Sequence, residues 1–239
     1  MKWIVCENYA EMSRAAADIV KEQLCAKPDS VLGLCTGSTP EGMYDCLAAD
    51  VAAGKVSFAR ASSFNLDEYY PMAAGHEQSY HTFMKKHLFD RVDMPADRHA
   101  VPNGEAADAA AECREYEARV AAAGYPDLQL LGIGVNGHIG FNEPGVLNAV
   151  THETPLTEST IAANARFFDD PSLVPDRALT MGVGTIMKSR RIVLMANGRA
   201  KHNAIMALRD DRVTENIPAT VLKLHPDVII VCDKEAYEG

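Results

Sequence analysis

The chain has 239 residues, 47% hydrophobic and 23% charged, which is enough to bury one sizeable core. Its 16 Gly and 12 Pro are ordinary, so collagen-like and disordered chains are excluded. With 23 Lys+Arg against 33 Asp+Glu the net charge is −10, which argues against nucleic acid or an anionic membrane surface as partner, since both require clustered cations.

The chain opens on a very short apolar run followed by Glu7 and Glu11, which does not read as a signal peptide. No stretch approaches the ~18 apolar residues of a membrane span. The cysteines, Cys6, Cys25, Cys35, Cys46, Cys113 and Cys232, form no CxxC pair and read as reduced, mostly buried thiols of a cytoplasmic protein.

Residues 3–6 predict a short strand, and Met12, Ala16, Ile19, Val20 and Leu24 then fall at helical spacing. Residues 31–35 are apolar on both faces, as in a buried parallel strand. A helix over 40–50 follows, with Pro40 in its first turn. Residues 61–66 predict a strand. Tyr80, Phe83, Met84, His87 and Leu88 mark a helix, and 106–123 another. A central strand is expected over 128–135, with further strands over 191–196 and 228–232 and a helix over 199–209 between them. There is no repeat, low-complexity tract or linker, so 1–239 is expected to be one domain. Strand–helix alternation of this kind predicts a mostly parallel sheet with helices on both faces, its ligands beyond the carboxyl ends of the strands.

Four segments could carry chemistry. In Cys35-Thr36-Gly37-Ser38-Thr39-Pro40, between a strand and a helix, Gly37 permits close approach of a ligand. Ser38 and Thr39 offer hydroxyls and N–H groups to an anion such as phosphate. An ordinary capped helix start would look the same. In Phe64-Asn65-Leu66-Asp67-Glu68-Tyr69-Tyr70 two carboxylates end a predicted strand, either functional or simply solvated. In the third segment Gly132, Gly134 and Gly137 match G-x-G-x-x-G, but Gly140, Pro144 and Gly145 forbid the helix a dinucleotide loop requires. What remains there is Asn136, His138 and Glu143, in which a carboxylate beside a histidine suits acid/base work. The fourth is cationic: Arg166 and Lys201 could hold a phosphate or be surface charges. The eight His show no metal-ligand spacing, and Cys6, Cys35 and Cys232 in strand cores make poor nucleophiles.

Taken together, LGLCTGSTPEGMY, SFNLDEYY, SYHTFMKKHLF, LLGIGVNGHIGFNEPG, NARFF, VPDRALTMGVGTIM and LHPDVIIVCD closely resemble the glucosamine-6-phosphate deaminase (glucosamine/galactosamine-6-phosphate isomerase) family, in order and over nearly the whole chain. The resemblance implies a Rossmann-like three-layer α/β/α sandwich. It implies conversion of glucosamine 6-phosphate to fructose 6-phosphate and ammonia, in N-acetylglucosamine and sialic acid catabolism, without a cofactor or metal. Asp67 would take the C2 proton. His138, supported by Glu143 and Asn136, would open the ring. Gly37, Ser38, Thr39, Arg166 and Lys201 would hold the phosphate. Asn136 stands where some members carry Asp, and residues 144–160, where the family has a mobile lid, match poorly. A galactosamine-6-phosphate enzyme, a 6-phosphogluconolactonase or a non-catalytic sugar-phosphate sensor are the alternatives, and monomer and homo-oligomer stay open. Some members are activated by N-acetylglucosamine 6-phosphate at a cationic interface site. From Pro144 through Ala165 this chain has no Lys or Arg, so no such activation is expected.

Overall fold

The apolar runs of the sequence meet in one sheet. A computed structural model describes residues 1–165, 168, 170 and 173–239. Its strands, in chain order, are β1 (Lys2–Cys6), β2 (Val31–Leu34), β3 (Ser62–Asn65), β4 (Asp67–Tyr70), β5 (His99–Ala100), β6 (Leu128–Leu131), β7 (His152–Pro155), β8 (Arg177–Thr180), β9 (Arg191–Ala196) and β10 (Val228–Asp233). Seven of them pair in parallel in the order β1-β10-β9-β6-β2-β3-β5. β2, β6 and β10 are buried at every position, as an apolar strand in a sheet covered on both faces must be.

The described helices are α1 (Tyr9–Ala26), α2 (Glu41–Ala52), α3 (Tyr80–His87), α4 (Ala109–Ala122), α5 (Glu158–Ala165), α6 (Val183–Ile186), α7 (His202–Arg209) and α8 (Lys234–Glu238). In α1 the residues at helical spacing, Met12, Ala16, Ile19, Val20 and Leu24, are all buried, and Asn8 caps the helix by accepting from the Glu11 N–H. No described helix is long and apolar enough to cross a membrane.

The structure departs from the sequence expectation at two places that matter for function. The strand ending at Leu66 does not run out into a loop. Leu66 still donates its N–H to the Leu34 carbonyl, while its own carbonyl accepts from Met181. From Asp67 the chain enters a second, antiparallel sheet in the order β4-β8-β7, with Asp67 opposite Thr180. Its strands have four residues each, and His152-Glu153-Thr154-Pro155 has no apolar alternation to give it away. The strand expected over 128–135 stops at Leu131, because Gly134 and His138 close a turn in which the Gly134 N–H donates to the His138 carbonyl at 2.9 Å.

Candidate active site

A cavity of about 290 Å³ opens beyond the carboxyl ends of β2 and β6. Gly37, Ser38, Thr39, Asp67, Asn136, His138 and Lys201 all line it. Glu143 stands behind His138 rather than on the cavity wall. Arg166 lies outside the described residues.

Asp67 and Glu68 are both buried, so neither is a solvated surface charge. Burial, reinforced by the charge of Glu68, pushes the Asp67 carboxyl up to about 8. Burial pushes Glu68 up to about 7, against the three backbone N–H groups it accepts from. Two of these, from Tyr80 and His81 at 2.9 Å each, belong to the first turn of α3. Glu68 thereby fixes Tyr80, whose ring lines the cavity, lies 4.8 Å from that of Tyr69 and stacks parallel to that of Phe141.

His138 is held by close approach. A Cβ on Gly134 would lie 2.4 Å from His138 Nδ1 and Cε1, so only glycine admits the imidazole there. The ring's Nδ1 is 3.3 Å from Glu143 Oε1, an ion-pair distance without hydrogen-bond alignment. Burial would raise the Glu143 carboxyl. The opposing effects of His138, the Thr160 hydroxyl and the Asn136 amide prevail and hold it down at about 2. Asn136 reaches His138 through the backbone and through its carboxylate partner: its Oδ1 accepts from the His138 backbone N–H at 3.1 Å, and its Nδ2 donates to Glu143 Oε2 at 2.7 Å. It therefore orients the carboxylate.

β8 ties the two halves of the site together. Thr180, opposite Asp67, accepts from the Phe141 N–H at 3.0 Å, and Asn142 Nδ2 donates to the carbonyls of Ile139 and Met181 at 2.8 Å each. Asp67 and the histidine loop are thus fixed to one short strand.

The loop carrying Gly37, Ser38 and Thr39 precedes α2. Gly37 adopts φ +93°, a conformation that favours glycine. Tyr9 bridges the loop to α2, donating to the Ser38 carbonyl at 3.0 Å and accepting from the Gly42 N–H at 2.8 Å. The Thr39 hydroxyl donates to Asn197 Oδ1 at 2.8 Å. The following Gly198 N–H is gripped by both oxygens of Asp233 at 3.0 Å, which fixes the turn leading to Lys201.

Among the described residues no group of three or more His, Cys, Asp or Glu is placed to hold a metal ion. The Cys35 thiol, buried at the cavity wall, is pushed up to about 12 by burial and by Asp67, so it stays protonated at neutral pH.

Residues 7–230 match the family described as glucosamine-6-phosphate isomerases/6-phosphogluconolactonase. The chain belongs to this family. Among curated relatives it is 50% identical over 237 residues to the glucosamine-6-phosphate deaminase of Thermoanaerobacter pseudethanolicus, covering 99% of this chain and 94% of that one. It is 49% identical to that of Halothermothrix orenii, covering 99% and 98%. A solved monomeric glucosamine-6-phosphate deaminase superposes with a TM-score of 0.97 at 45% identity, over 99% of this chain and 98% of that one. The 6-phosphogluconolactonase of Trypanosoma brucei, at 21% identity and a TM-score of 0.80 over 99% and 97%, shares the fold.

Within the glucosamine-6-phosphate isomerase fold, sequence reasoning missed Thr160, Asn197 and Tyr80 as cavity residues. Tyr80 was legible only as one of an apolar helical set. Asn197 lies beside the Lys201 segment and carried no charge to mark it. Thr160 lies at the end of the poorly matching stretch, where a hydroxyl residue gives no periodic signal.

Proposed function

We propose that the chain converts glucosamine 6-phosphate and water to fructose 6-phosphate and ammonia. The observation that carries this reading is the buried Asp67 sharing one cavity with His138 and the anion loop. A carboxylate there is needed for proton transfer at C2, whereas lactone hydrolysis has no such requirement. The relatives at about half identity along nearly the whole chain support the same reading.

Gly37, Ser38 and Thr39 with Lys201, and Arg166 from outside the described residues, bind the phosphate and so fix the sugar. With Nδ1 of His138 beside Glu143, Nε2 is the nitrogen that works on the sugar. It delivers a proton to the ring oxygen as the O1 hydroxyl gives one up, opening the ring to the C1 aldehyde. The carbonyl acidifies the C2 hydrogen. Ionised Asp67 removes it, the electron pair forms the C1=C2 bond, and O1 takes a proton from the C2 ammonium, giving the enolamine. Return of the proton to C1 gives the C2 imine, to which water adds, and ammonia departs with a proton. The C1 carbonyl of the substrate itself serves as the electron sink, so no cofactor is required.

The whole of 1–239 acts as one catalytic domain, as a monomer like the 45% identical relative, in cytoplasmic amino-sugar catabolism; its six free cysteines suit that compartment. An assay of ammonia release tests the activity, comparing glucosamine 6-phosphate with its galacto epimer and with 6-phosphogluconolactone. Release from the gluco sugar with the highest kcat/KM is expected. Lactone hydrolysis without ammonia release would overturn the reading.

A further inference from the structure

Two donors hold the two oxygens of Glu143, and they come from different parts of the chain. Asn136, on Oε2, belongs to the histidine loop itself. Thr160, on Oε1, comes from α5. Thr160 is buried and lines the cavity. Its hydroxyl donates to Oε1 at 2.5 Å, the same oxygen that lies 3.3 Å from His138 Nδ1.

The direction of that bond is fixed by the residue before it. Thr157 precedes α5 and caps it, its Oγ1 accepting from the Thr160 N–H at 3.3 Å. The Thr157 hydroxyl donates to Thr160 Oγ1 at 3.0 Å. A hydroxyl has one proton to give, so Thr160, accepting from Thr157, delivers its own to the carboxylate. A donor on each oxygen stops the carboxylate from turning about its last bond, and a hydroxyl on an ionised oxygen makes one of the stronger hydrogen bonds available.

From this we infer that Thr160 is a positioning residue for the ring-opening pair, holding Glu143 against His138 from helix α5. The inference rests on the deaminase reading above and extends it: the carboxylate keeps its place 3.3 Å from the imidazole only while Thr160 of α5 stays on the cavity wall. Ring opening is thereby tied to α5, whereas the C2 base on β4 is not.

The test compares Thr160→Val, which keeps the shape and removes the hydroxyl, with Thr160→Ser, which keeps the hydroxyl. Each is measured for kcat and KM with glucosamine 6-phosphate and for Kd of 2-amino-2-deoxyglucitol 6-phosphate, an open-chain analogue with no ring to open. Thr160→Val is expected to lower kcat on the order of 10- to 10²-fold, the scale of a misaligned catalytic group. The Kd of the alditol stays unchanged, and Thr160→Ser restores most of kcat. The inference is overturned if Thr160→Val turns over like the wild type. It is equally overturned if the alditol Kd weakens in step with kcat, or if Thr160→Ser is as slow as Thr160→Val, since either result makes the residue a packing element. Failure of the wild-type protein to release ammonia would instead remove the deaminase reading itself.

Discussion

The Asn136 amide and the Glu143 carboxylate meet at 2.7 Å, nitrogen to oxygen, so Asn136 supports His138 through its carboxylate partner. Asparagine can fill this place because an amide nitrogen donates. An aspartate there would set two carboxyl groups oxygen to oxygen, and they would have to share a proton.

Asn136→Asp therefore makes the folded protein bind a further proton. The pair's folded pKa lies above the unfolded carboxylate value of ~4. The stabilisation from that proton is present below the unfolded value and is lost as pH rises through the folded one. Melting temperatures measured from pH 5 to pH 8 should fall more steeply for Asn136→Asp than for the wild type. Parallel curves would contradict the arrangement.

Asp67→Asn should abolish exchange of the C2 proton with solvent, a loss on the order of 10²–10⁴-fold in turnover, the usual cost of removing a general base. It should also stabilise the fold in alkaline solution. With a folded pKa of about 8, Asp67 binds its proton more tightly folded than unfolded, so its contribution to stability declines as pH rises towards that value. The variant, which cannot ionise, escapes the decline. Its melting temperature should match the wild type's only below the unfolded value of ~4 and exceed it increasingly as pH rises to 8.5. Near-normal C2 exchange would remove Asp67 from its role.

The same raised pKa predicts a difference between two pH profiles. The acid limb of kcat/KM reports the free enzyme, and that of kcat the complex. Bound substrate brings its C2 ammonium next to the carboxylate, and a cation at that distance lowers a carboxyl pKa. The acid limb of kcat should therefore lie at lower pH than that of kcat/KM. Coincident limbs would mean that the amine is not beside Asp67.

Lys201→Ala should raise KM more than it lowers kcat, because the phosphate is remote from the reacting carbons; part of its binding energy is still used at C2. Asp233→Ala should shift KM in the same direction without removing a cation, since Asp233 fixes the Gly198 turn before Lys201 and caps α8. A loss of about 1–3 kcal/mol in stability is expected from the hydrogen bonds to its charge. An Asp233→Ala protein with unchanged KM would detach that turn from the phosphate.

Substrate titrations should be hyperbolic, and N-acetylglucosamine 6-phosphate should not activate. The stretch from Pro144 through Ala165 has no Lys or Arg, and burial lowers His152 below its ordinary value, so it is neutral at pH 7. A Hill coefficient clearly above one that falls towards one on adding the acetylated sugar would refute this.

The centre of the large sheet was legible from the sequence because β2, β6, β9 and β10 are buried almost throughout and so are written as apolar runs, whereas the two-residue β5 was not. Asp67, His138 and the anion loop were legible because they sit where such strands end. What stayed hidden follows from the second sheet. Its four-residue strands are held by pairing with one another and not by an apolar stripe, so nothing in 152–155 or 177–180 announces a strand. The atoms through which Asn136 supports His138 stayed hidden for a different reason. Spacing shows which polar groups are near one another but not which atoms face, and only the fold separates an amide on a carboxylate from an amide on a ring.

Gly134 gives the glycine pattern of this loop another meaning. In a dinucleotide fold the empty side of such a residue receives a pyrophosphate, while here the void is already filled by the chain's own imidazole, folded back from four positions further on. The space a cofactor would need is taken before any ligand arrives. In this chain the histidine four residues past the second glycine thus separates the turn from a nucleotide-binding one.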